Sequence, residues 1–255
     1  MYAEKRCRLC GRCIKACEHN AISSGVKGGL LFDRNICDKC EDFNCTKACL
    51  CEAVEVSGKL FSVEALMKIF ERDRDFWGAD GGVTFSGGEP FVQHQFLQSV
   101  LKKCKGTSIH TAIETSGHVA TEVFLKSMEL IDWAFIDIKH MDTELHRDLT
   151  GVGNELILKN IETLTKSNWK GTLVPRIPLI PGFNNSESNI SATAEFLKRC
   201  NLSKIEVLPF HRMGDSKYVR LGLRYTHSEK LPPNRDELES VIKCFNKNGI
   251  DCIED

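Results

Sequence analysis

From Leu60 onward the apolar positions recur with two alternating periods, about 3.6 residues and about 2 residues. "SVEALMKIF" sets Val63, Leu66, Met67 and Phe70 on one helical face behind Ser62, a residue suited to the N-cap. "GGVTFSGG" reads as a short buried strand, and "VQHQFLQSVLKKC" as a helix with a stripe of Val92, Phe96, Val100 and Leu101. The alternation continues through "SIHTAIETSG" (strand), "TEVFLKSM" (helix), "WAFIDIK" (strand), "NELILKNIETLTK" (helix) and "TLVPRIPLI" (strand). "SESNISATAEFLKRC" (helix) and "KIEVLPF" (strand) follow, and a last helix, "RDELESVIKCFNKN", stops at Gly249. Such alternation predicts a parallel sheet with crossover helices. The five strands fall short of the eight of a closed barrel, so the expected fold is α/β, a partial (open) parallel β/α barrel.

The polar residues have a place in this pattern. Each strand runs into a polar or glycine-rich segment: "SGGEP", "ETSG", "DIKH", "RIPLIPG" and "FHRMG". In parallel α/β folds the carboxyl ends of the strands converge on one face, where active sites form. Five such endings predict a polar cup on that rim.

Ahead of Leu60 the periodicity gives way to cysteine. "CRLCGRCIKAC" spaces Cys7, Cys10, Cys13 and Cys17 as C-x2-C-x2-C-x3-C, the bacterial ferredoxin run for a [4Fe–4S] cluster. "CDKCEDFNCTKAC" repeats it in lengthened form with Cys37, Cys40, Cys45 and Cys49. In two-cluster ferredoxins the fourth cysteine of each run serves the other cluster. Cys7, Cys10, Cys13 and Cys49 are therefore assigned to one cluster, and Cys37, Cys40, Cys45 and Cys17 to the other. Zinc sites usually pair C-x2-C units across a longer gap, so the crowding of three cysteines favours iron and sulfur. Proline, usual after the fourth cysteine, is replaced by Glu18 and Leu50, and Cys51 is a spare thiol. The expected division is a ferredoxin-like module over 1–58 and the partial barrel over 59–255.

The remaining cysteines, Cys104, Cys200, Cys244 and Cys252, fall in periodic segments and are expected as small core residues. A composition of 42% hydrophobic and 27% charged residues is that of a globular chain, and the net charge of −1 points to neither nucleic acid nor a membrane surface. The charged start "MYAEKRCRLC" has no apolar core of a signal peptide, and no run approaches a membrane span, so a cytoplasmic protein is expected.

"GGVTFSGGEP", "IHTAIETSG", "DIKHMD", "RIPLIPGFN" and "LPFHRMGDSKY", in this order behind an eight-cysteine head, resemble the activating enzymes of glycyl radical enzymes. This is the radical S-adenosylmethionine (SAM) family that includes the pyruvate formate-lyase activating enzyme, and the likeness covers essentially the whole chain. The resemblance implies reductive cleavage of SAM to a 5′-deoxyadenosyl radical that takes a hydrogen atom from a glycine of a partner enzyme. A flavodoxin or ferredoxin-type protein is the implied electron donor. By the same resemblance Gly87, Gly88 and Glu89 hold the SAM amino group, and glycine backbone and a carboxylate suit that role. "DIK" (Asp137, Ile138, Lys139) is similar to the segment facing the SAM hydroxyls and carboxylate, with Asp137 and Lys139 on one face of a strand. Glu114 and Thr115 match a place near SAM where the family often has Asp-Thr. His211 matches a histidine at the adenosine, and Arg176 is expected at SAM or the peptide substrate.

The family holds SAM on a third cluster, carried by a C-x3-C-x2-C loop that precedes the ferredoxin-like module. No C-x3-C-x2-C occurs in these 255 residues. The expectation is therefore a barrel lacking its first strand, a truncated chain, and no activity of this chain by itself. Two other readings stand beside it: an electron-transfer or docking iron–sulfur protein on a vestigial barrel, and a zinc-bound structural protein.

Overall fold

The computed structural model describes residues 1–26, 28–78, 81–225 and 228–254. They form two units, Met1–Leu60 with His211–Lys230, and Phe61–Phe210 with Leu231–Asp255. A boundary at 58/59 does not foresee that 211–230 returns to the first unit.

In the first unit β1 (Ile22–Ser24) pairs antiparallel with β2 (Leu30–Phe32), Ile22 opposite Phe32. Three one-turn helices, Arg12–Lys15, Arg34–Cys37 and Asn44–Lys47, carry Cys13, Cys37 and Cys45. The small core is Cys13, Ile22 and Val54, with Tyr2, Ile14, Cys17, Leu30, Phe32, Cys45 and Cys49 packed on it. Sulfur therefore makes up much of what is buried, as in small modules whose stability depends on a bound metal. The returning segment is tied in by polar contacts. Tyr2 N–H donates to the Arg220 carbonyl at 2.7 Å, and the Arg220 guanidinium pairs with Glu55.

In the second unit six parallel strands lie side by side in chain order: β3 (Val83–Phe85), β4 (Thr111–Thr115), β5 (Trp133–Asp137), β6 (Thr172–Leu179), β7 (Lys204–Pro209) and β8 (Asp251–Glu254). Helices Val63–Asp73, His94–Gly106, Thr121–Met128, Glu155–Thr165, Glu187–Arg199 and Arg235–Lys247 alternate with them. The architecture is an open, partial β/α barrel, as the pattern predicts. The Ser62 hydroxyl accepts from Ala65 N–H at the first helix, and Gly249 (φ +73°) ends the last one. Side chains alternate across the strands. Ile113, Ala134, Ile136, Ile177, Ile205 and Val207 are fully buried under the helices, so the intervening residues face the concave side.

Three features depart from the pattern. β8 adds a sixth strand; its four residues are too few for a period to be read. The helix Thr143–Thr150 has no apolar stripe and rests instead on its ends, capped by Asp142 and closed by Gly151 at φ +85°. Val92 is 79% exposed in a 3₁₀ turn, Pro90–Gln93, and Leu97 and Cys104 complete the buried stripe in its place. Among the described residues no helix is long and apolar enough to cross a membrane.

Candidate functional site

The register aligns the polar rim. Asp137 (β5), Arg176 (β6) and Glu206 (β7) are consecutive cross-strand partners, and one step earlier Glu114 (β4) is opposite Phe135 (β5). All five face the concave side. The Arg176 guanidinium lies 3.5 Å from the centre of the Phe135 ring, donates to Glu114 Oε1 at 2.8 Å, and donates through Nε to Glu206. Its side chain is only 11% exposed, so this planar donor is held from three sides. Beyond it Lys139 Nζ meets Asp137 Oδ2 at 2.5 Å, both half-buried. Glu206 was not foreseen; the signal was a carboxylate inside the apolar run "IEVL".

Glu114 and Thr115 are adjacent on β4 and so face opposite sides. Thr115 is buried, and its hydroxyl donates to Glu89 Oε1 at 2.6 Å. Glu89 Oε1 also accepts from Phe91 N–H, and Oε2 accepts from the Ser116 N–H and hydroxyl at 2.9 and 2.7 Å. An ionised carboxylate has about four acceptor positions, and these donors occupy them. Glu89 therefore fastens the "SGGEP" turn to the end of β4. The glycines of that segment differ. An added Cβ would strike the Trp77 backbone at Gly81 and the His110 carbonyl at Gly82, which is a packing need. Gly87 stands at φ +108°, a conformation that excludes L side chains. Gly88 has neither constraint: its φ is not positive, and no atom lies within 4 Å of a Cβ built on it. Its bare backbone faces open space.

Four buried asparagines, missed in the sequence, hold the loops that carry these groups. Asn184 Nδ2 donates to the Lys139 and Pro178 carbonyls, and its Oδ1 accepts from Ile180 N–H at 2.8 Å. Asn189 joins Met141 N–H to the Asn184 carbonyl. Asn154 donates to the His140 and Met141 carbonyls, and Asn160 to those of Gly117 and Val119. Ile138 is 2% exposed and turned into the core, while its N–H donates to the Arg176 carbonyl at 2.7 Å. His211 lies in the first unit, exposed, with Nδ1 accepting from Met213 N–H at 3.3 Å.

In the first unit the cysteines fall into two groups. Cys7, Cys10, Cys13 and Cys49 line one pocket together with Cys51, and Cys17, Cys37, Cys40 and Cys45 line another. The two fourth cysteines are treated alike by the backbone: Cys17 Sγ accepts from Ala21 N–H at 3.3 Å and Cys49 Sγ from Ala53 N–H at 3.2 Å. Burial pushes the Cys13, Cys37 and Cys45 thiols up. At Cys49 burial acts the same way but is outweighed by N–H donors from Val54, Ala53 and Cys51 and by the Cys51 thiol, so its value falls. Five soft donors around the first space and four around the second supply the four ligands that an iron–sulfur cluster needs at each. The remaining cysteines form no third group. Cys104, Cys200 and Cys252 are buried and Cys244 half-buried, on separate elements, and burial drives Cys104 up to about 11 and Cys252 to about 12. They are core thiols, and they do not fit a third cluster.

A model of the radical SAM superfamily matches residues 42–196, and one of the 4Fe-4S binding domain matches residues 2–23. The 4-hydroxyphenylacetate decarboxylase activating enzyme of Clostridioides difficile (strain CD196) is 46% identical over 255 residues, covering 99% of this chain and 81% of that protein. The indoleacetate decarboxylase activating enzyme of Tractidigestivibacter scatoligenes is 34% identical over 260 residues, covering 99% and 82%. Among solved structures, a domain of the pyruvate-formate lyase-activating enzyme from Bacteroides vulgatus superposes with a TM-score of 0.56 at 32% identity, covering 69% of this chain and 99% of that one.

Proposed function

The chain belongs to the glycyl radical enzyme activating enzymes of the radical SAM superfamily, and we propose that its partner is an arylacetate decarboxylase of the glycyl radical class. The names of the two decarboxylase activators, matched over 99% of this chain, support that choice. When bound, SAM and its iron supply the hydrogen-atom abstraction from the partner's glycine; the residues here bind and orient.

The observation that carries the SAM assignment is Gly88, whose bare backbone borders open space without a packing or conformational need for glycine. Glu89 positions that backbone through Thr115 and Ser116 rather than receiving the SAM ammonium itself. Asp137 accepts from ligand hydroxyls, and Lys139 donates to a carboxylate; in the free protein each serves as the other's partner. On the concave face Glu114, Asp137 and Glu206 outnumber Lys139 and Arg176 by one charge, which suits a sulfonium cation. Arg176 holds Glu114 and Glu206 in place and is a positioning residue. The two thiol groups of the head hold two [4Fe–4S] clusters, each with a fourth ligand from the other run. No group of thiols fits the SAM-binding cluster, so these 255 residues do not form a glycyl radical by themselves.

Calorimetry with SAM on the anaerobically reconstituted chain tests the site. Heat of binding is expected, and Gly88→Ala and Asp137→Ala should abolish it. An electron-transfer protein on a vestigial barrel would give no heat with any of the three.

A further inference from the structure

The two cysteine groups of the head differ sharply in the charge around them. Between Glu4 and Cys17 the chain carries Lys5, Arg6, Arg8, Arg12 and Lys15 against the single carboxylate of Glu4. All five cations are exposed. Arg8 and Arg12 line the same pocket as Cys7, Cys10, Cys13 and Cys49. Among the described residues only Arg6 has an ion-pair partner, Glu55 at 3.8 Å. Around the second group carboxylates predominate: Glu18 follows Cys17, Asp38, Glu41 and Asp42 stand with Lys39 between Cys37 and Cys45, and Arg34 is the arginine that lines that pocket.

In the first group Cys10 is exposed, Cys7 and Cys49 are half-buried and Cys13 is buried, whereas Cys17, Cys37, Cys40 and Cys45 are all half-buried. Leu9, next to Cys10, is 58% exposed, and Leu50, next to Cys49, is 76% exposed. One exposed ligand, Cys10, with bare apolar residues beside the ligands and unpaired cations around them has the anatomy of a docking surface, an apolar centre with a charged rim. A cationic rim steers an anionic partner and does little for a neutral one.

We propose that the face around Cys7, Cys10, Cys13 and Cys49 is the docking surface for an acidic, one-electron carrier protein. The proposal rests on the assignment of two clusters to the head. In the transfer the carrier is oxidised by one electron as the first cluster goes from its 2+ to its 1+ state, and no atom or proton moves. Docking on this face brings the carrier's redox group to the exposed edge at Cys10. The carboxylates around the second group turn the same carrier away from it.

The test is the reduction rate of the reconstituted protein by a flavodoxin hydroquinone, followed by bleaching of the cluster absorbance. Reduced methyl viologen, a small cation, serves as the second donor. The flavodoxin rate is expected to fall at least tenfold between about 50 mM and about 500 mM salt, as charge screening shortens. Arg8→Glu/Arg12→Glu should lower it at least tenfold at low salt and flatten the salt dependence, while the viologen rate does not fall. Lys5→Glu/Lys15→Glu, further from the ligands, should act in the same direction. An unchanged flavodoxin rate and salt slope in both double variants overturns the proposal. So does a rate that responds instead to Asp38→Lys/Glu41→Lys. A wild-type protein that viologen does not bleach, or that holds no iron, refutes the cluster assignment itself rather than the docking face.

Discussion

Gly88 and Arg176 carry opposite predictions because one has nothing around it and the other has everything. Gly88→Ala places its methyl in open space, so unfolding stability should shift by less than about 0.5 kcal/mol while SAM binding is lost. Chemical denaturation and calorimetry on the same sample separate the two effects. Arg176→Ala strands Glu206, itself 11% exposed, beneath a vacated guanidinium site. Loss of one partner of such a pair costs about 3 kcal/mol, which chemical denaturation would show as a lower midpoint. Arg176→Lys should recover only part of it, because an ammonium cannot span Glu114 and Glu206 while stacking on Phe135. His146 gives a pH prediction. It is 2% exposed, Nδ1 lies 2.7 Å from the Val152 carbonyl, and Nε2 has no partner, so burial lowers its pKa from 6.5. The unfolded chain then binds the proton first, so stability is fully present above about pH 6.5 and is lost as pH falls toward the depressed folded value. Thermal melts of the wild type should show this loss, and His146→Asn should reduce it. At this scale the sequence revealed which residues are polar at strand ends, but not their partners. At Glu89 the sequence shows a carboxylate beside two glycines, but not that Thr115 and Ser116 donate to it. Those contacts join residues more than twenty positions apart, and no local pattern encodes them.

Between strands the site depends on loops, and the loops depend on asparagine. Asn184→Ala would leave the Ile180 N–H and the Lys139 and Pro178 carbonyls without this partner in a buried setting. A cost of about 2–3 kcal/mol is expected. Hydrogen exchange should quicken at Ile180 and at Met141, because Asn189 couples the two loops. An effect confined to Ile180 would contradict that coupling. The long periodic helices and the strands β3 to β7 were legible because each buries one face, most of them against the main core and the helix Val63–Asp73 with β3 against a smaller cluster around Val100, Cys104 and Ile109. What escaped were elements held by their ends or by pairing. The helix Thr143–Thr150 is set by Asp142 and Gly151, and β8 by its register with β7. The asparagines escaped for a related reason: a polar residue, whether in a helix like Asn160 and Asn189 or in a loop like Asn184, looks solvated until its burial is known.

For the molecule as a whole, the proposed cluster ligands fall in one unit and most of the proposed SAM residues in the other, and the chemistry of each can be measured apart. Eight head cysteines in two groups imply about eight iron atoms and about eight sulfides per chain. On the proposed crossing of the fourth ligands, Cys17→Ala should disturb the cluster assigned to Cys37, Cys40 and Cys45, and Cys49→Ala the one assigned to Cys7, Cys10 and Cys13. Mössbauer spectra in which Cys17→Ala instead disturbed the Cys7 group would reverse that pairing. The return of His211–Lys230 to the head has no periodic signal and had to be seen. On the proposed function, these residues form the SAM- and partner-facing body of an activating enzyme. The most direct test of that function is electron paramagnetic resonance of a 4-hydroxyphenylacetate decarboxylase, incubated anaerobically with SAM, reductant and this chain joined to the family's C-x3-C-x2-C segment. The account predicts a glycyl radical doublet for that fusion, none for the 255 residues alone, and none for the fusion carrying Asp137→Ala. A doublet of full size from the Asp137→Ala fusion, or none from the unaltered fusion with its clusters in place, would contradict it.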